Sequence, residues 1–122
     1  MKSIMVIATL LISFISPAYA GAGHELKPMH GGVIVEAKDM DVELVVMADS
    51  LSMYLTDHGK PIPLEGGAAK LTILIGSDKK DYELLPNGGK LEVKGNFAIP
   101  KGAKAIAVIK IKAKVVTARF NL

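Results

Sequence analysis

The sequence predicts an all-β domain, an antiparallel β-sandwich of seven or eight strands that follows a cleaved signal peptide. Apolar and polar residues alternate with a period of two in many windows after residue 30, whereas no window there has a convincing helical period. Turn-forming Gly, Pro, Asn and Asp residues separate these windows at intervals of about 8–12 residues, which is typical of a β-sandwich. A small closed barrel is the alternative architecture.

The first twenty residues have the features of a secretory signal peptide. Lys2 supplies a positive charge, Ile4 to Ile15 form an apolar run, and Ala18 to Ala20 match a small-x-small cleavage site. The apolar run is shorter than the ~20 residues that a membrane-spanning helix needs. We therefore expect a soluble, periplasmic or secreted protein with no membrane span after cleavage.

Residues 21–30, which contain two glycines and a proline, are predicted to form a flexible leader, and residues 31–122 the β-sandwich domain. Eight alternating segments are the predicted strands: 33–37, 42–47, 51–56, 69–75, 80–85, 91–94, 105–113 and 115–120. This number and spacing of strands predicts an immunoglobulin-like topology.

The boundaries of these strands follow from the residues between them. Gly59 allows a turn with positive φ after the third strand, and Pro61 keeps the next segment out of a central ladder position. The sequence from Pro86 to Gly89 is a strong hairpin signal between the fifth and sixth strands.

Cysteine is absent, and charge is unevenly distributed along the chain. Without cysteine there are no disulfides and no thiolate metal sites. Residues 21–89 carry a net charge of −5 and residues 90–122 a net charge of +7. The alternating lysines at 110, 112 and 114 favour a solvated strand face over a nucleic-acid site, and the chain has no Trp for base stacking.

The possible metal donors are concentrated in one part of the sequence. All histidines and methionines that follow the signal peptide lie within residues 24–58: His24, Met29, His30, Met40, Met47, Met53 and His58. Imidazole and thioether groups are ligands for copper, and imidazole also suits zinc and nickel. This clustering predicts a metal site.

Met29 and His30 are the strongest candidates within this cluster, because two glycines follow them and allow the backbone to bend tightly. A strand-entry turn in which His30 bonds a backbone carbonyl is the alternative. Glu43 lies in an apolar run, so its carboxylate is expected either on an exposed face or paired with His30 or a lysine. His58, which follows the third strand, could reach the same edge of the sandwich as His30 and Glu43, and Asp57 is a further acidic candidate.

Simpler explanations exist for the other donors. Met47 and Met53 occupy strand positions and are expected to fill the core. Met40 is expected at the core edge, and His24 is expected to be solvated in the leader.

Enzyme motifs are not found. Ser50, Ser52 and Ser77 lack a GxSxG nucleophile elbow, and the glycine pairs at 66–67 and 88–89 are turn signals rather than a phosphate-binding loop. We therefore expect no enzymatic activity.

Three short motifs carry a family resemblance: His30-Gly31-Gly32, Val42-Glu43-Leu44 and the segment from Tyr54 to Pro61. The chain after the signal peptide resembles a group of small exported proteins of unassigned function. Residues 28–63 are also similar to the amino-terminal segment of periplasmic adaptor proteins of heavy-metal efflux pumps. The resemblance implies a periplasmic accessory module for metal handling. Its matching positions are His30, Glu43, Asp57 and His58.

Two functions remain open. The first is a soluble periplasmic metal-binding or metal-resistance accessory protein, with copper preferred and efflux-system or other envelope proteins as partners. Its predicted site residues are Met29, His30, Glu43, Asp57 and His58. The second is a structural or protein-interaction module of the cell envelope without a metal, which would use a sheet edge or the basic face of residues 101–119.

Overall fold

The computed structural model describes residues 26–122, so the predicted signal peptide and most of the leader, including His24, lie outside the described residues. Nine strands form the fold: β1 (Val33–Ala37), β2 (Met40–Val46), β3 (Ser50–Asp57), β4 (Lys60–Pro61), β5 (Ala68–Ile75), β6 (Asp78–Asn87), β7 (Lys90–Lys94), β8 (Lys104–Ile111) and β9 (Lys114–Asn121). All of their pairings are antiparallel. The prediction of an all-β antiparallel fold is confirmed. No helix capable of crossing a membrane is found in residues 26–122.

The strands follow the order β1-β2-β3-β7-β6-β5-β8-β9, and β4 pairs with the end of β3. Strands β5, β6 and β7 are joined in sequence, and β8 returns beside β5, which is a Greek key. The first and last strands of the order, β1 and β9, lie against one another. The Nζ of Lys38 donates to the carbonyl oxygen of Val115 at 3.1 Å across this junction. The sheet is therefore nearly barrel-shaped.

The core is built from alternate residues of these strands, because successive side chains of a strand point to opposite faces. Its largest fully buried side chains include Leu44, Met53, Leu71 and Ile109. Met53 and Met40 are buried as expected. The prediction that Met47 fills the core is wrong, because β2 ends at Val46 and the Met47 side chain is 56% exposed.

Most strand boundaries differ from the prediction by one or two residues, and the short strand β4 was not predicted. The predicted strand 105–113 ends at Ile111, and Lys112 and Ala113 form the turn to β9. Pro86 was expected in a turn but lies within β6, opposite Leu91. At Lys112 the alternation of lysine with apolar residues continues through the turn, so it does not mark where β8 ends. At Pro86 the turn-forming residues begin two positions before the turn itself, which is formed by Gly88 and Gly89.

Candidate functional site

Glu43 lies on β2 between β1 and β3, opposite Ile34 on one side and Tyr54 on the other. The residue is 3% exposed, although its side chain points away from the apolar core that contains Leu44. An ionised carboxylate at this burial requires hydrogen-bond donors. The segment just before β1 covers Glu43 and supplies them.

Four donors converge on the Glu43 carboxylate. Oε1 accepts from the backbone N–H of Met29 at 2.9 Å and from Nδ1 of His30 at 3.0 Å. Oε2 accepts from the backbone N–H groups of His30 and Gly32, each at 2.9 Å. We call Glu43 together with residues 29–32 the Glu43 clasp. A carboxylate has about four lone-pair sites, so these contacts use all of its accepting capacity.

These contacts hold Glu43 in its charged form. Burial raises the pKa of the Glu43 carboxyl, but the hydrogen bonds from Gly32, His30 and Met29 together outweigh burial, and the net pKa lies below its usual value. Because the ionised carboxylate can only accept, Nδ1 of His30 carries the proton in this contact.

The two glycines of the clasp fit specific backbone requirements. Gly31 has a φ of +74°, a conformation that other L-residues rarely adopt. A Cβ on Gly32 would lie 2.3 Å from the carbonyl oxygen of Leu44. Gly32 therefore approaches β2 closely enough to bond Glu43 only because it lacks a side chain, whereas Gly31 is favoured by its positive φ.

The ring of His30 is held by a second contact. It stacks on the ring of Tyr54, with a centroid distance of 3.5 Å and an angle of 5° between the planes. The Nζ of Lys90 lies 5.8 Å from the Tyr54 ring centroid. With Nδ1 bound to Glu43, Nε2 is the nitrogen of His30 that can bind a metal. Histidine ligands in metal sites commonly donate their other ring N–H to a carboxylate in this way.

A second carboxylate–histidine pair lies in the turn between β3 and β4. Nδ1 of His58 is 2.5 Å from Oδ1 of Asp57, and both side chains are largely exposed. Met29, which is 79% exposed, lines the same surface groove as His58. The groove also includes Asp41 and Thr56. Met29 is therefore adjacent to His30 in the chain and shares a groove with His58.

The structure thus brings some predicted site residues together and separates others. Met29, His30 and Glu43 form one cluster, whereas Asp57 and His58 form another. Within residues 26–122, no group of three or more His, Asp or Glu side chains could hold a metal ion on its own. A site that includes both clusters would need the thioether of Met29.

Sequence reasoning did not predict that Tyr54 or the backbone amides of the clasp contribute to the site. The signal for Tyr54 was present, because it alternates with the apolar residues of the third strand and so faces the same side as Glu43. Backbone amides have no sequence signal apart from the glycines that allow them to approach.

Comparisons of the chain with protein-family models, with curated proteins and with solved structures gave no match. The assignment of a role therefore depends on the geometry described above.

Proposed function

We propose that this protein is a non-catalytic, periplasmic metal-binding accessory protein that binds copper(I) through Met29 and His30. The observation that supports this most directly is the contact between Nδ1 of His30 and Glu43. This contact orients the imidazole and leaves Nε2 as the metal-binding nitrogen, next in the chain to a thioether that is 79% exposed.

The five predicted site residues take different roles in this proposal. Met29 and His30 are the direct ligands, and His58 provides a third donor from the groove that it shares with Met29. Glu43 and Asp57 orient the two imidazoles through their Nδ1 atoms and do not contact the metal. The proposal thus moves Glu43 out of the ligand set, because its lone pairs are already occupied.

Copper(I) is the metal that this donor set favours. Thioether sulfur is a soft ligand that selects copper(I), whereas a chain without cysteine would have to bind zinc or nickel through nitrogen and oxygen. Zinc and nickel remain the alternatives if His30 and His58 bind without Met29.

The same proposal includes export to the periplasm, an immunoglobulin-like sandwich fold and a partner in a heavy-metal efflux system. Export is supported by the apolar run and cleavage signal of the first twenty residues. The motif around His30 supports the link to efflux through its resemblance to adaptor proteins.

Copper(I) affinity, measured by competition with a chromophoric chelator under reducing conditions, tests the proposal. Met29→Leu removes the thioether at nearly constant volume and is expected to weaken binding about tenfold or more. Met47→Leu is the matched control, because Met47 is also exposed but belongs to neither cluster. Equal affinities for the two variants, or no stoichiometric binding by the unaltered protein, would refute the proposal.

An interaction module without a metal is the second candidate. An apolar surface groove, lined by Val46, Met47, Ile75, Phe97 and Ile99 among others, favours it. In this case Met47→Asp should abolish cross-linking to a purified envelope partner, while Met29→Leu should leave the cross-linking unchanged.

A further inference from the structure

A separate groove of about 700 Å³ lies between the β1–β2 turn and the β8–β9 turn. Its floor is apolar and includes Met40, Ile111 and Val116, whereas lysines lie along its rim. The rim lysines are Lys38, Lys112 and Lys114. The volume is within the roughly 300–1,000 Å³ of typical small-molecule sites, which also combine an apolar lining with a few polar groups.

The backbone at this rim is unusual. Most positive-φ positions in residues 26–122 are glycines, and the exceptions are Lys38 (φ 47°), His58 (φ 50°) and Lys112 (φ 52°). Lys38 and Lys112 lie in the two-residue turns β1–β2 and β8–β9, where glycine, asparagine or aspartate would be less strained. Such strain in a non-glycine residue often accompanies a functional side chain. Here both strained lysines border the same groove.

We propose that this groove binds a long-chain aliphatic carboxylate, with its hydrocarbon chain on the apolar floor and its carboxylate between Lys38 and Lys112. Val115, which is 51% exposed, extends the apolar surface at the rim. The groove shares Asp57 with the proposed copper(I) site but includes none of the three metal-binding side chains of that site.

The charges around the groove favour the binding of an anionic ligand. Lys38 donates one of its three N–H groups to the Val115 carbonyl oxygen, and two remain for a ligand. Two carboxylates also line the groove, but Asp57 is engaged by His58. Three lysines against these two carboxylates still leave the lining of the groove with an excess of one positive charge.

Fluorescence titration of the full chain with dansyl-undecanoic acid and with its methyl ester tests this site. The double variant Lys38→Asn, Lys112→Asn removes both charges, and asparagine tolerates positive φ, so the fold should be retained. Lys101→Asn is the matched control, since Lys101 is exposed and lies outside the groove. We expect the double variant to bind the acid about tenfold more weakly, with the control unchanged. The unaltered protein should bind the ester more weakly than the acid.

Equal affinity of the unaltered protein for acid and ester would overturn the proposal, as would unchanged binding of the acid by the double variant. Val115→Asp places a carboxylate at the rim and should also weaken binding of the acid. If acetate displaces the probe as effectively as dodecanoate does, the site binds small anions and the proposal for an aliphatic ligand is wrong.

Discussion

The ring of His30 lies parallel to the ring of Tyr54, with 3.5 Å between their centroids, while Nδ1 of the same ring contacts Glu43 at 3.0 Å. The stack fixes the plane of the imidazole, and the Glu43 contact fixes its rotation within that plane. The side chain nevertheless remains 42% exposed. An exposed histidine held by two contacts is suited to presenting Nε2 in one direction, which lowers the entropic cost of binding a ligand there.

Replacement of Glu43 by Gln is expected to lower the free energy of unfolding by about 2–4 kcal/mol. An amide side chain has one oxygen for four donors, and its NH₂ group would face N–H groups that it cannot bond. Urea denaturation measures the loss, and faster amide exchange at Met29, His30 and Gly32 would locate it in the clasp. Glu36→Gln, at an exposed position on β1, is the matched control and should change stability little. A fully stable Glu43→Gln variant would mean that the clasp does not hold the segment before β1.

Replacement of Gly32 by Ala is expected to cost about 1–3 kcal/mol of stability. The added Cβ would lie 2.3 Å from the Leu44 carbonyl oxygen, which belongs to the backbone and cannot rotate away. Gly31→Asn provides the comparison, because no atom lies within 4 Å of a Cβ at Gly31 and asparagine tolerates its φ of +74°. Thermal unfolding of both variants should show the larger loss for Gly32→Ala, and the reverse order would contradict the close approach to β2.

The clasp shows which parts of such a site can be predicted from sequence. Glu43 stood out because it is charged within an apolar run, and pairing with His30 was one of its expected outcomes. The structure bears out that pairing. Three of the four donors, however, are backbone N–H groups, and their convergence depends on how residues 29–32 cross β2. No residue type in the sequence encodes that path beyond Gly31 and Gly32.

The fold, like the clasp, could be predicted from the sequence only where a local pattern of residue types encodes it. Alternation of apolar and polar residues located the strands, because one face of each strand is buried. It did not locate the turn at Lys112, where the alternation continues through the turn, or the end of β2 before Met47. The pairing of β5 with β8 joins residues far apart in the chain, so local patterns could not reveal it.

The stabilising effect of the clasp should depend on pH in a predictable direction. Burial acts to raise the pKa of Glu43, but its hydrogen bonds hold the net value in the folded state below the ordinary value of 4.5. A lowered pKa in the folded state contributes stability above the unfolded pKa, and this contribution is lost as pH falls through the folded pKa. The difference in unfolding free energy between the unaltered protein and Glu43→Gln should thus be constant from neutral pH to about pH 5. It should narrow below about pH 4.5.

Other carboxylates also make the unfolding free energy depend on pH. Their contributions cancel when the unfolding free energy of Glu43→Gln is subtracted from that of the unaltered protein. The pKa of Asp81 is lowered by the Thr72 hydroxyl, and that of Glu92 by Lys90, and both effects are present in the two proteins. A difference that widens as the pH falls would show that Glu43 is protonated in the folded state.

Replacement of Lys112 by Gly is expected to raise the free energy of unfolding by about 1 kcal/mol, although glycine usually destabilises a folded chain. The φ of 52° at Lys112 strains a side-chain-bearing residue, and the relief of this strain should exceed the entropy that glycine adds to the unfolded chain. Urea denaturation of the unaltered protein and the variant measures the change. Lys110→Gly is the matched control, because Lys110 lies within β8 and its replacement should destabilise the strand. A loss of stability in Lys112→Gly equal to that of the control would show that the turn is not strained. A gain would mean that lysine at this position lowers the stability of the fold, as strained residues at functional sites often do.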